Sequence, residues 1–209
     1  MSRPTRAVVG RGRIDGSPGA PRDDAWSALS EEIRSCRQCP LHATRTHAVA
    51  YRGSLTPTIL FVGEAPGAAE DAAGLPFVGR SGRRLDAAVE HVGLRPEEYG
   101  MLNLLKCRPP NNAFDRAAAG TCRPYLDRQI ALLAPRVLVP LGAHALRALA
   151  PDAPAILSAA GHPQPGTVPE LFPLIHPAAA LRSRRLAERW ARDVDAFGRW
   201  LRGPRAQPV

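Results

Sequence analysis

Four nearly continuous apolar runs constrain this chain more than any other feature: TILFVG (58–63), MLNLLK (101–106), RVLVPLG (136–142) and LFPLIH (171–176). A strand with one wet face alternates apolar and polar residues. A run apolar at almost every position fits a strand covered on both sides, as in a parallel sheet. Helical patterns fill the intervals. SGRRLDAAVEHVG begins at a Ser cap and stops at Gly93, YLDRQIALLA and AHALRALA occupy the next two gaps, and the long amphipathic SRRLAERWARDVDAFGRWL closes the pattern. Upstream, DDAWSALSEEIRSC reads as a capped helix with Trp26, Leu29 and Ile33 on one face. Strand and helix alternate, so the expected fold is α/β: a three-layer α/β/α sandwich around a central parallel four-stranded sheet.

The boundaries follow from composition. Residues 1–22 are rich in Gly, Pro and Arg and lack an apolar stretch, and they read as a disordered basic tail. Residues 23–202 form the expected domain and 203–209 a C-terminal tail. No run of 18 apolar residues exists, which excludes a single-pass membrane helix. Nothing marks the chain as secreted, so a cytoplasmic (nucleoid) protein is expected. Net charge is +9. Such an excess suits a polyanionic partner, although GC-rich codons also enrich arginine. Lys106 is the only lysine among the 28 basic residues.

In open α/β sheets, ligands bind outside the carboxyl ends of the strands. Three polar clusters fall there: Glu64 after the first run, Asn103 to Lys106 in the second, and His176 ending the fourth. The first strand also runs into GEAPGAAEDAAGLPFVGRSGRRLD (63–86), with five glycines, two prolines and four carboxylates in 24 residues. A loop this constrained is expected to hold something.

The cysteines come in two pairs, Cys36–Cys39 (C-x2-C) and Cys107–Cys122 (C-x14-C). A disulfide framework belongs to secreted chains. A site of four thiolates is the better reading. The wide second spacing departs from a zinc ribbon and fits an iron–sulfur cluster; on spacing alone zinc stays open.

Taken together, GEAPGAAEDAAGLPFVG, NLLKCRPP and HPAAALR resemble the three motifs of the family 4 uracil-DNA glycosylases, the iron–sulfur group, and the cysteine pairs fall where that family has them. The resemblance covers residues 31–200 or so. It implies a [4Fe-4S] cluster on Cys36, Cys39, Cys107 and Cys122, uracil-containing DNA as partner, and hydrolysis of the bond joining uracil to deoxyribose. A monomer is expected. Two details depart from the family pattern: C-x14-C is about one residue short, and CRPPNNAFD lacks the basic residue usual after the asparagine. Related groups are less well matched. The family 5 enzymes usually lack the glutamate that stands here as Glu64, and the DNA-crosslinking group carries an inserted basic loop absent after CRPPNN. A non-catalytic iron–sulfur DNA-binding module is the alternative from another class.

The resemblance also distributes roles. Phe77 stacks on the base, and Asn103 reads its polar edge. His176 donates to uracil O2 as charge builds there. Glu64 is first choice to orient water or stabilise the sugar cation, with Glu70 second and Asp71 also near. Gly63 and Ala65 line the pocket, the latter near uracil C5. Pro177, Leu181 and Arg182 form a DNA-entering loop, Leu181 as an apolar wedge and Arg182 as a phosphate clamp. A second His-Pro, at His162, reads as a loop histidine.

Overall fold

A computed structural model of the chain describes residues 22–164, 167 and 169–203. The expected tails at 1–22 and 203–209 therefore lie outside the described residues, save for Arg22 and Gly203. Five strands form one sheet: β1 (Arg52–Gly53), β2 (Ile59–Gly63), β3 (Tyr99–Asn103), β4 (Val137–Pro140) and β5 (Glu170–Leu171). The spatial order is β1-β3-β2-β4-β5. The four expected strands pair in parallel, and β1 adds an antiparallel edge to β3 that the sequence pattern did not indicate. Two residues are too short to show a period.

Every residue of β2 is buried, and the two sides of the strand face different helical layers. Ile59 and Phe61 belong to a core with Leu85 and Val89 of α3 (Arg80–His91) and Trp190, Val194 and Phe197 of α8 (Arg184–Arg202). Leu60 and Val62 belong to the opposite core, with Leu126, Ile130 and Leu133 of α4 (Arg116–Leu133) and Ala145 of α5 (Ala143–Leu149). The strand alternates between layers, which is why its sequence does not alternate in polarity. Each buried Leu, Ile or Phe stabilises the fold by about 1.5–3 kcal/mol relative to exposure. On the α4 side, α1 (Arg22–Ser35) packs Leu29 and Ile33 with Tyr125 of α4. The result is the expected α/β/α sandwich.

Several boundaries move. Ser81 is not the cap of α3; the cap lies two residues earlier, at Gly79, whose N–H donates to the Glu70 carboxylate at 2.7 Å. The second apolar run pairs over 99–103 rather than 101–106. Beyond it the ladder persists only as Leu104 N–H to the Gly63 carbonyl and Leu105 N–H to the Glu64 carbonyl. Helix α4 begins nine residues before the YLDRQIALLA pattern, capped by Asp115, which accepts from Ala118 N–H at 2.9 Å.

Candidate active site

Strand β2 is central, and chain order reverses across it: β3 lies on one side and β4 on the other. Such a switch point opens a crevice beyond the carboxyl ends of the strands. A cleft of about 590 Å³ lies there, within the size range of small-ligand sites. It is lined by Glu64, Ala65, Glu70, Phe77, Asn103, His176 and Arg182, bringing together residues from three regions of the sequence.

Asn103 ends β3 in register with Gly63 at the end of β2. It is 2% exposed. A Cβ at Gly63 would stand 2.2 Å from Asn103 Oδ1 and 2.5 Å from Phe77 Cζ. Glycine is what lets the amide and the ring share the floor of the cleft. Among the described residues, nothing hydrogen-bonds the Asn103 side chain.

Phe77 has φ +56, in the left-handed region that bulky residues rarely enter. Two contacts hold it there. Arg52 donates to its carbonyl at 3.1 Å, and α3 crosses so closely at Gly82 that any side chain would strike that carbonyl. Its ring belongs to the α3–α8 core yet borders the cleft. Anchor and pocket wall are the same residue.

His176 precedes the short helix α7 (Pro177–Ala180) and caps it: Ala178 N–H donates to Nδ1 at 3.1 Å. An Nδ1 that accepts leaves the proton of the neutral ring on Nε2. Burial, aided by the positive charge of Arg182, pushes the His176 pKa down to about 4. At neutral pH the ring is therefore an uncharged donor. Its plane lies 30° from that of Phe77, centroids 6.5 Å apart.

Glu64 follows β2. Burial raises its pKa, opposed by His144 and Arg182; His144 Nε2 is 3.9 Å from Glu64 Oε2. Glu70 is placed differently. Its two carboxylate oxygens accept from Gly67 N–H at 3.1 Å and Gly79 N–H at 2.7 Å. Asp71 likewise accepts from Thr46 N–H. Both carboxylates thus hold backbone N–H groups, and Glu70 also lines the cleft beside Glu64.

Leu181 is exposed and Pro177 buried, on either side of Ala178 and Ala179, which line the cleft. Arg182 reaches the cleft. His162 lies outside the cleft lining and is exposed.

Residues not singled out from the sequence also face the site: Arg80, Ser81 and Asn112 line the cleft, and His144 stacks on Phe114 with centroids 3.8 Å apart. His144 stands just past the carboxyl end of β4. The rule that marked the other strand ends applied there too.

The four cysteines, drawn from the end of α1, the turn at Pro40, the β3 end and α4, line one small cavity. Cys107 and Cys122 are buried. Burial pushes both thiols up, opposed at Cys107 by Arg45 and at Cys122 by Lys106. Arg45 donates to Cys107 Sγ at 3.0 Å.

The profile of the Uracil DNA glycosylase superfamily matches residues 50–196. This chain belongs to that superfamily. Within it, the chain is 38% identical over 178 residues to the type-4 uracil-DNA glycosylase of Pyrobaculum aerophilum, covering 81% of this chain and 91% of the relative. Identity to the type-4 uracil-DNA glycosylase of Sulfurisphaera tokodaii is 38% over 173 residues, 78% of this chain and 79% of that one. For the type-4 enzyme of Archaeoglobus fulgidus it is 45% over 115 residues, 54% and 58% of the two chains. The superfamily match begins beyond Cys36 and Cys39, whereas the cleft falls wholly inside it.

Proposed function

We propose that this protein is a DNA repair glycosylase that hydrolyses the N-glycosidic bond of uracil in single- or double-stranded DNA, leaving an abasic site. One observation carries the reading: Asn103, whose amide has no hydrogen-bond partner among the described residues, and His176, whose Nδ1 is taken by Ala178 N–H, line the same cleft as Phe77.

The base must leave the helical stack to reach such a cleft. Phe77 offers a flat apolar wall. The Asn103 amide accepts from uracil N3–H and donates to O4, a pattern that cytosine reverses. His176 donates from Nε2 to O2, where negative charge grows as the bond breaks. A neutral donor aimed at developing charge is worth about 2.7–4 kcal/mol of barrier. Glu64, ionised, orients the water or stabilises the sugar cation. Arg182 holds a phosphate and Leu181 enters the gap left by the base. Ala65 sits beside the ring and bears on the exclusion of thymine.

The same reading places a [4Fe-4S] cluster on Cys36, Cys39, Cys107 and Cys122. The donor set is all sulfur, and the Arg45 guanidinium and the Lys106 backbone N–H point at it, as a negatively charged thiolate group requires. Bound there, the cluster joins the N-terminal knuckle to the β3 end and supplies structure. The reading takes the protein to act as a monomer.

A gel assay on uracil-containing single-stranded DNA tests the proposal. Alkali-labile sites at uracil and not at thymine support it. A folded protein that binds this DNA and leaves it intact is the non-catalytic module instead.

A further inference from the structure

The only lysine of the chain is 1% exposed. Lys106 Nζ donates to the backbone carbonyl of Asn103 at 2.5 Å. Its side chain also borders the four-cysteine cavity. A buried amine is tolerated only where a partner satisfies it. Here the partner is the strand-end carbonyl, beside the cysteine cavity.

Asn103 is the last paired residue of β3, where the carbonyl passes out of the regular ladder. A buried carbonyl left without a donor is costly, and Lys106 is the donor that meets it. Arginine serves every other basic position, yet its planar, forked head cannot replace a point donor at the end of a thin stem. The residue choice and the geometry agree.

We propose that Lys106 is a positioning residue for base recognition: it pins the backbone of Asn103 against the four-cysteine group, so that the reading amide is held from behind. This rests on the uracil-glycosylase reading above. Lys106 does not touch the base. It sets where Asn103 can place its amide, and it makes the thiolate group part of base recognition through a single intervening side chain.

Lys106→Met keeps the stem and removes the donor. Its iron and sulfide content, its affinity for abasic DNA and its affinity for free uracil should be compared with wild type. Leaving the buried Asn103 carbonyl without its donor should weaken free-uracil binding by roughly 10- to 100-fold, with iron, sulfide and abasic-DNA affinity retained. Uracil affinity equal to wild type overturns the proposal. If the variant does not fold, the wild-type holoprotein decides: selective ¹³C-lysine labelling gives one side-chain signal, which saturating uracil must shift. An unmoved signal overturns the proposal as well. Wild-type excision of uracil, run alongside, separates the two readings, since its failure would remove the function itself rather than this role for Lys106.

Discussion

The absent side chain of Gly63 is the space that Asn103 uses: a Cβ there would stand 2.2 Å from Asn103 Oδ1. The two residues are register partners at the ends of β2 and β3. Gly63→Ala must push the amide, the Phe77 ring, or both. Overpacking of this kind costs about 1–3 kcal/mol of stability. A displacement approaching 1 Å at a reacting site costs roughly 10²-fold in rate. Single-turnover excision beside a urea melt should therefore show rate falling further than stability explains. A Gly63→Ala protein with wild-type rate would mean the amide is not positioned by this contact.

His176→Ala should lower the single-turnover rate by roughly 10²–10³, with DNA affinity little changed, because the contact strengthens chiefly in the transition state. A variant that binds weakly but cleaves normally at saturation would place His176 in docking instead.

The depressed pKa of His176 has a second consequence. In the unfolded chain this histidine takes up a proton near pH 6.5, whereas in the folded protein it does so only near 4. Its contribution to stability is thus fully present above about pH 6.5 and is lost as pH falls toward 4. Urea midpoints measured across that window should drop more steeply for wild type than for His176→Gln. Parallel curves would contradict the buried neutral ring.

How much of this was legible in advance depends on which physics set each feature. The apolar runs revealed the parallel strands because burial on both faces leaves its mark residue by residue. Strand β1 left none, being two residues held by pairing with β3. Asn103 and His176 stood out as polar strand ends and Phe77 as part of a crowded glycine loop, but their roles rested on the resemblance to the family 4 uracil-DNA glycosylases. The tautomer of His176 and the engagement of Glu70 could not, since both rest on backbone N–H groups whose direction only the fold sets. His144 was missed because a histidine two residues into a plain helical pattern carries no signal until its strand end is recognised.

In the proposed mechanism Glu64 acts when ionised; burial raises its pKa, opposed by His144 and Arg182. The acid limb of the pH–rate profile should therefore move to higher pH in His144→Asn, where one opposing charge is gone. The sign is the test. A limb that stays put, or moves down, would remove Glu64 from the rate-determining ionisation.

Cys36→Ser and Cys107→Ser should each yield protein depleted in iron and sulfide, paler, and less stable than wild type. Cys107 is the more sensitive, since it is buried and its sulfur accepts from Arg45. Wild-type protein that is colourless and carries stoichiometric zinc would contradict the cluster.

The most direct measurement is single-turnover excision of uracil and of cytosine by Asn103→Asp, because the expectation follows from hydrogen-bond polarity. The substitution keeps the shape and removes the amide donor. An ionised carboxylate repels uracil O4 and accepts from cytosine N4–H; a protonated one can donate to cytosine N3. Uracil excision should fall by roughly 10⁴, the scale of a mismatched buried polar group, while slow cytosine excision emerges, limited by its poorer leaving ability. Uracil excision at the wild-type rate in a folded Asn103→Asp protein would contradict the account, for it would show that another residue reads the base.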